Sequence, residues 1–184
     1  MAKQIKNKKP ITQANKAELK RHRYLIAIPV IALVIKLITM GNTQGGGWLG
    51  ADGENYLTGV DGLLNQGFFS SEGKLTYWPA GYPLLIWPFA AISLTKFIYM
   101  LSVIQSLFFA YSTYFLTKSL SKTKLSYLTF AASILISFNP TLSLGSLAVG
   151  YETPVASCLM MALAIAIRGF ASDSAAKISP KQIA

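Results

Sequence analysis

The sequence predicts an all-α, polytopic membrane protein with about four transmembrane spans and short juxtamembrane helices in a large first outer loop. Three observations carry that expectation. Hydrophobic residues make up 52% of the 184 and charged residues 13%, with a positive mean hydropathy, a balance that suits a lipid-facing chain rather than a soluble domain. Apolar runs recur at about 24–40, 97–118, 125–140 and 153–168. Basic residues gather at the chain's ends and in one short loop, while most acids lie in the segments between.

Residues 1–23 form a basic tail that carries Lys3, Lys6, Lys8, Lys9, Lys16, Lys20, Arg21 and Arg23. The chain's net charge is +10. No zinc spacing, recognition helix or aromatic-rich basic sheet accompanies these cations, so they read as a topology signal and not as a nucleic-acid site. Residues 24–40, interrupted by Pro29 and Lys36, just span a hydrocarbon core of about 30 Å if flanking residues contribute. The long basic lead and the lack of a small-x-small site before Gly41 favour an uncleaved signal anchor over a cleaved signal peptide.

The outer loop, 41–83, opens with Gly-Asn-Thr-Gln-Gly-Gly-Gly-Trp-Leu-Gly. No Lys-Ser/Thr follows these glycines, so they are turn chemistry and not a phosphate cradle. Residues 53–66 place Leu57, Val60, Leu63 and Leu64 at helical spacing, which predicts a short amphipathic helix lying on the membrane surface. Lys96 divides the next long apolar stretch into a juxtamembrane helix at 83–95 and a span at 97–118. Lys118, Lys122 and Lys124 make a short basic loop. The third span, 125–140, ends or kinks at Asn139-Pro140. A Ser- and Gly-rich loop follows. Thr153 is the expected N-cap of the fourth span, with Pro154 at its first helical position. Residues 169–184 are a polar tail.

Charge placement sets the expected orientation. With both termini cytoplasmic, the tail, the 118–124 loop and Arg168, Lys177 and Lys181 lie inside, and Asp52, Glu54, Asp61, Glu72 and Glu152 lie outside. The expected location is an inner membrane of bacterial type or its equivalent, with membrane lipids as immediate partners.

Several chemistries are excluded by residue supply. Cys158 is the only cysteine and His22 the only histidine, so neither an internal disulfide nor a His/Cys zinc site can form. The outer loops hold no His for a hydrolytic triad. The outer carboxylates remain. Asp52, Glu54 and Glu152 are the candidate catalytic residues, with Asp52 and Glu54 the ligands of a divalent cation if one is bound. Each has a plainer reading. Asp52 can cap the 53–66 helix, and Glu152 sits favourably at a helix N-terminus. Two residues apart, Asp52 and Glu54 fall on different sides of a regular helix, so joint action needs an irregular start, which Gly53 permits. Tyr56, Trp78, Tyr82 and Lys74 are the candidate substrate-binding residues. The aromatics also suit an interfacial belt, and Lys74 also suits interface snorkelling.

Ala51-Asp52-Gly53-Glu54-Asn55-Tyr56, then Trp78-Pro79-Ala80-Gly81-Tyr82-Pro83-Leu84-Leu85, then Asn139-Pro140 through Tyr151-Glu152-Thr153-Pro154 follow one another in a telling order. That order resembles the N-terminal portion of the GT-C superfamily of integral-membrane glycosyltransferases, which includes protein O-mannosyltransferases and lipid A aminoarabinose transferases. In such enzymes an acidic motif follows the first span, a Pro-rich segment re-enters the membrane, and a second outer loop carries another carboxylate. The resemblance covers about residues 20–170. It departs from the family in Pro-Ala-Gly-Tyr-Pro, where one proline of the usual pair is replaced. The chain is also much shorter than family members, as expected of a truncated or partner-completed unit.

The resemblance implies inverting transfer of a sugar from a polyprenyl-phosphate donor to an acceptor hydroxyl on the outer face. Asp52 would act as general base, Glu54 and Glu152 would orient the acceptor or bind a metal, and a partner subunit would supply the missing spans. Two rivals stand beside it. One is a non-catalytic small membrane subunit or scaffold. The other is a small transporter, whose polar mid-membrane residues would here be Lys36 and Gln105.

Overall fold

A computed structural model of the chain describes residues 13–42, 52–67, 81–93 and 96–176, with side chains described for residues 20, 22–42, 52–67, 81–93 and 96–170. The described part is mostly helical and contains no β-strand. The helices are α1 (Gln13–Gly41), α2 (Gly53–Asp61), α3 (Gly81–Ile92), α4 (Phe97–Leu120), α5 (Thr129–Ser137), α6 (Pro140–Gly145) and α7 (Glu152–Ala176). Three segments are long and apolar enough to cross a membrane: His22–Gly41 in α1, Phe97–Leu120 and Glu152–Phe170.

The segment expected as a third span is shorter. A three-residue turn, Ser126–Leu128, leads into the nine residues of α5, and together they rise only about 18 Å. The break at Asn139-Pro140 has a local cause. Pro140 has no N–H to continue α5, and the Asn139 side chain instead accepts a 2.9 Å bond from the Leu142 N–H, capping α6. Lys96 marks the start of α4, in line with the division made there. The 53–66 helix forms as α2, then widens into one π-helical turn over Gly62–Gln66 and stops at Gly67, whose φ of 87° suits glycine.

Thr153 does not cap α7. The helix starts one residue earlier, at Glu152, and the Thr153 hydroxyl donates to the Leu142 carbonyl at 3.0 Å. This bond ties α7 to α6. Gly145 leaves room for it, since a Cβ there would meet the Thr153 Oγ1 at 2.9 Å.

α4 is the hub on which α1, α3, α5 and α7 pack. Two kinds of packing meet on it. At its beginning, Phe97 and Leu101 join Tyr56 and Val60 from α2, Tyr82, Ile86 and Ala90 from α3, and Val149 in a buried apolar cluster. Further along, its buried face becomes polar: Ser102, Gln105, Ser106, Ser112, Thr113, Thr117 and Ser119. Small hydroxyl residues let helices approach closely where lipid supplies no hydrophobic drive between them. Several of these hydroxyls bond back into the helix, as Thr113 does to the Phe109 carbonyl and Thr117 to the Thr113 carbonyl. Such bonds satisfy the hydroxyl without water.

Candidate functional site

The loop ends and short helices assemble at one end of the bundle. A groove of about 1070 Å³ opens there between α3 and α7. Asp52, Tyr56, Tyr82 and Tyr151 line its polar head. Leu85, Pro154, Val155, Cys158, Leu159 and Ala162 line its apolar length. Tyr151, just before α7, and five α7 positions (154, 155, 158, 159 and 162) recur at helical spacing, so one face of the start of α7 forms the groove wall.

Asp52 precedes α2 in the capping position, yet its side chain makes no capping hydrogen bond. Asp52 instead lines the groove. Behind it three tyrosines stack edge to face. The ring centroids of Tyr56 and Tyr82 lie 4.9 Å apart, and those of Tyr56 and Tyr151 lie 6.1 Å apart. Such pairs fix ring orientation beyond what area burial alone does.

Tyr82 is the most constrained of the three. Its hydroxyl oxygen accepts from Gln105 Nε2 at 2.6 Å and from the Gly150 backbone N–H at 3.0 Å. Neither bond uses the phenol's own proton. Burial pushes the Tyr82 phenol up to about 12, against the opposing pull of the Gln105 and Gly150 bonds and with the Glu152 carboxylate and Tyr56 nearby adding to the rise. Tyr82 is thus a neutral hydrogen-bond donor across the physiological range.

Glu152 is exposed and does not line the groove. Its carboxylate folds back over Gly150, where an added Cβ would collide with it. Because Glu152 is exposed, its flexible side chain could swing aside from such a Cβ. Glu54 is exposed on α2 and is absent from the groove wall. The regular helix begins at Gly53, so Asp52 and Glu54 diverge, and no cluster of three metal-ligating side chains forms among the described residues. Lys74 and Trp78 lie outside the described residues. Of the expected site residues, the groove brings together Asp52, Tyr56 and Tyr82.

Gln105 and Lys36, the two polar residues noted within spans, both have structural partners. Gln105 holds Tyr82. Lys36 is 3% exposed, donates to Ser146 Oγ at 3.2 Å and lies 4.5 Å from the centre of the Phe109 ring. Ser146 gives its single proton to the Ser143 carbonyl at 2.7 Å, so both Lys36 and Ser106, 3.0 Å away, must donate to it. Ser102 adds a bond to the Leu147 carbonyl at 2.9 Å. These contacts, with the Tyr82–Gly150 bond, pin the 146–150 segment beneath the groove.

Sequence reasoning missed the α7 wall. Tyr151 and Pro154 lay within a noted motif, but Val155, Cys158, Leu159 and Ala162 did not stand out. Their helical spacing was present as a signal. In a segment apolar on every side, that spacing does not separate a groove wall from a lipid face.

No protein-family model matches this chain, and neither a curated protein nor a solved structure is significantly similar to it. The fold and the groove define a class instead: an all-helical protein with three helices able to cross a membrane and an amphipathic groove at one end of the bundle.

Proposed function

We propose that the chain is a membrane glycosyltransferase of GT-C type, or the N-terminal part of one, that transfers a sugar from a polyprenyl-phosphate donor to an acceptor hydroxyl on the outer face. One observation carries this reading: the same groove joins a carboxylate that does not cap its helix, Asp52, to a long apolar wall on α7. A substrate with a polar head and a hydrocarbon tail suits that shape. The chain crosses the membrane four times in this reading, with α5 and α6 together forming the third crossing and both termini cytoplasmic.

In the transfer, Asp52 takes the proton of the acceptor hydroxyl as its oxygen attacks the anomeric carbon. The bond from that carbon to the phosphate oxygen breaks, and the prenyl phosphate leaves with the electron pair. Tyr82 donates to the head group, and Tyr56 and Tyr151 offer faces for the sugar. Glu54 and Glu152, outside the groove wall, act on the incoming acceptor. The leaving phosphate needs a positive partner. Among the described residues no Lys or Arg lines the groove. Lys74, a divalent cation or a partner subunit with further spans supplies that charge.

The long apolar wall on α7 also suits a second reading, a non-catalytic membrane subunit that holds a lipid tail. Sugar transfer from a polyprenyl-phosphate sugar, measured in membranes holding the full chain and its native partners, separates the two. Asp52→Asn should lower turnover by about 10²–10⁴-fold, and Glu152→Gln by less. Unchanged turnover in Asp52→Asn would remove the catalytic assignment and leave the subunit reading.

A further inference from the structure

The opposite end of the bundle carries a second constellation, which the groove does not use. Arg168 leaves α7 toward α4, where its Nε donates to Ser119 Oγ at 2.9 Å and its guanidinium carbon lies 3.8 Å from the centre of the Phe115 ring. Ser119 spends its own proton on the Phe115 carbonyl. One α4 stripe over, Lys118 Nζ donates to the Tyr114 hydroxyl at 2.9 Å. His22 from α1 meets Tyr114 edge-on, with ring centroids 6.3 Å apart. Two cations are therefore held in place by aromatic and hydroxyl partners, and neither forms an ion pair among the described residues. Among the described residues, the terminal guanidinium nitrogens, two ammonium protons and the Tyr114 proton have no acceptor.

We propose that this end of the bundle holds the phosphate of an anionic phospholipid. The Arg168 fork grips two phosphate oxygens, while Lys118 and Tyr114 take a third. Held guanidinium geometry reduces the ordering that binding requires. A lipid suits the place better than a free ion, because Phe170 and Tyr127 are strongly exposed aromatics at the same end and belong at a headgroup boundary. Net negative charge is selected because a choline head would set a further cation beside Arg168 and Lys118. Asp52, Glu54, Asp61 and Glu152 lie on the segments around the groove at the other end, and Asp173, on the last turns of α7, is the one acid on the described helices at this end.

The test uses the full-length chain in a neutral detergent. It is titrated separately with short-chain phosphatidylglycerol and short-chain phosphatidylcholine, and one-to-one complexes are counted by native mass spectrometry. The expected preference for phosphatidylglycerol is about tenfold. It should vanish in Arg168→Gln/Lys118→Gln and persist in Lys122→Gln/Lys124→Gln, which removes the same charge from the adjoining loop. Equal loss in both pairs would show diffuse attraction and overturn the site. Arg168→Lys keeps the charge and loses the fork, so it keeps the result readable if the double variant fails to fold. It should lose most of the preference, and full retention would overturn the proposal. Inorganic phosphate at the same concentration should not displace the lipid. Displacement would overturn the lipid as the occupant.

Discussion

The apolar cluster where α2 and α3 meet the start of α4 and the polar seam farther along α4 are held together by opposite means. The cluster buries Tyr56, Val60, Ile86, Phe97, Leu101 and Val149, as a soluble core would. The seam buries Ser102, Ser106, Thr113, Thr117 and Lys36, which a soluble core would mostly exclude. The difference follows from what competes with each contact. Where water reaches the chain, removing apolar area from it is the dominant gain. Between helices in lipid that gain is absent, and small side chains, close approach and hydroxyl bonds take over. The groove borders the cluster, with Tyr56 and Tyr82 belonging to both and its apolar wall on the first turns of α7.

The comparison can be broken most directly at Ile86, which is fully buried in the cluster. Ile86→Ala should destabilise the protein by about 2–5 kcal/mol, read from denaturant titration in detergent. A loss well under 1 kcal/mol would mean that the cluster is not held by apolar burial. Tyr82→Phe comes next. It keeps the ring in the cluster but leaves the Gln105 amide and the Gly150 N–H without their acceptor, a cost of about 1–3 kcal/mol.

Tyr82 also gives the cluster a pH dependence. Its folded value of about 12 lies above the ordinary 10.0, so folding favours the protonated phenol. The contribution is fully present below pH 10 and is lost as pH rises from 10 toward about 12. Unfolding midpoints compared across that range should converge between wild type and Tyr82→Phe as pH rises.

The seam should answer more softly. Ser106→Ala removes one donor from Ser146, and hydroxyl bonds between membrane helices average about 0.6 kcal/mol. A cost as large as that of Ile86→Ala would erase the contrast between the two regions. Lys36→Met is expected to have the smallest destabilising effect. Lys36 is buried against Ser146 and Phe109, and among the described residues it has no carboxylate partner to be stranded. Replacing it by an apolar side chain of similar length should leave stability unchanged or raise it. A marked loss would mean that its charge has a partner the seam does not contain.

Much of the helical plan was readable because membrane helices announce themselves by length and by polar punctuation. Lys96 separates α3 from α4, and Asn139-Pro140 ends one helix and starts the next, because each residue acts through its own backbone or charge. Helix starts set by tertiary contacts were not readable. Thr153 has the composition of a cap, but its hydroxyl is taken by Leu142 eleven residues back in the chain. Candidate site residues divided in the same way. Asp52, Tyr56 and Tyr82 belong to short motifs whose loops converge, and they meet in the groove. Glu54 follows the helical turn that Gly53 begins and faces away. The α7 wall stayed hidden because groove-facing and lipid-facing apolar residues obey the same preference.

The central claim is that the groove takes the hydrocarbon tail of a lipid-linked substrate, with its head at Asp52. A polyprenyl phosphate carrying a photoreactive diazirine on its chain tests this in membranes that hold the full-length protein, with adducts mapped by mass spectrometry. The groove predicts adducts concentrated on Val155, Cys158, Leu159 and Ala162 of α7 and on Leu85 of α3. Adducts spread equally over the exposed Ile31, Ile35 and Ile38 of α1 would show ordinary contact with the bilayer and contradict it.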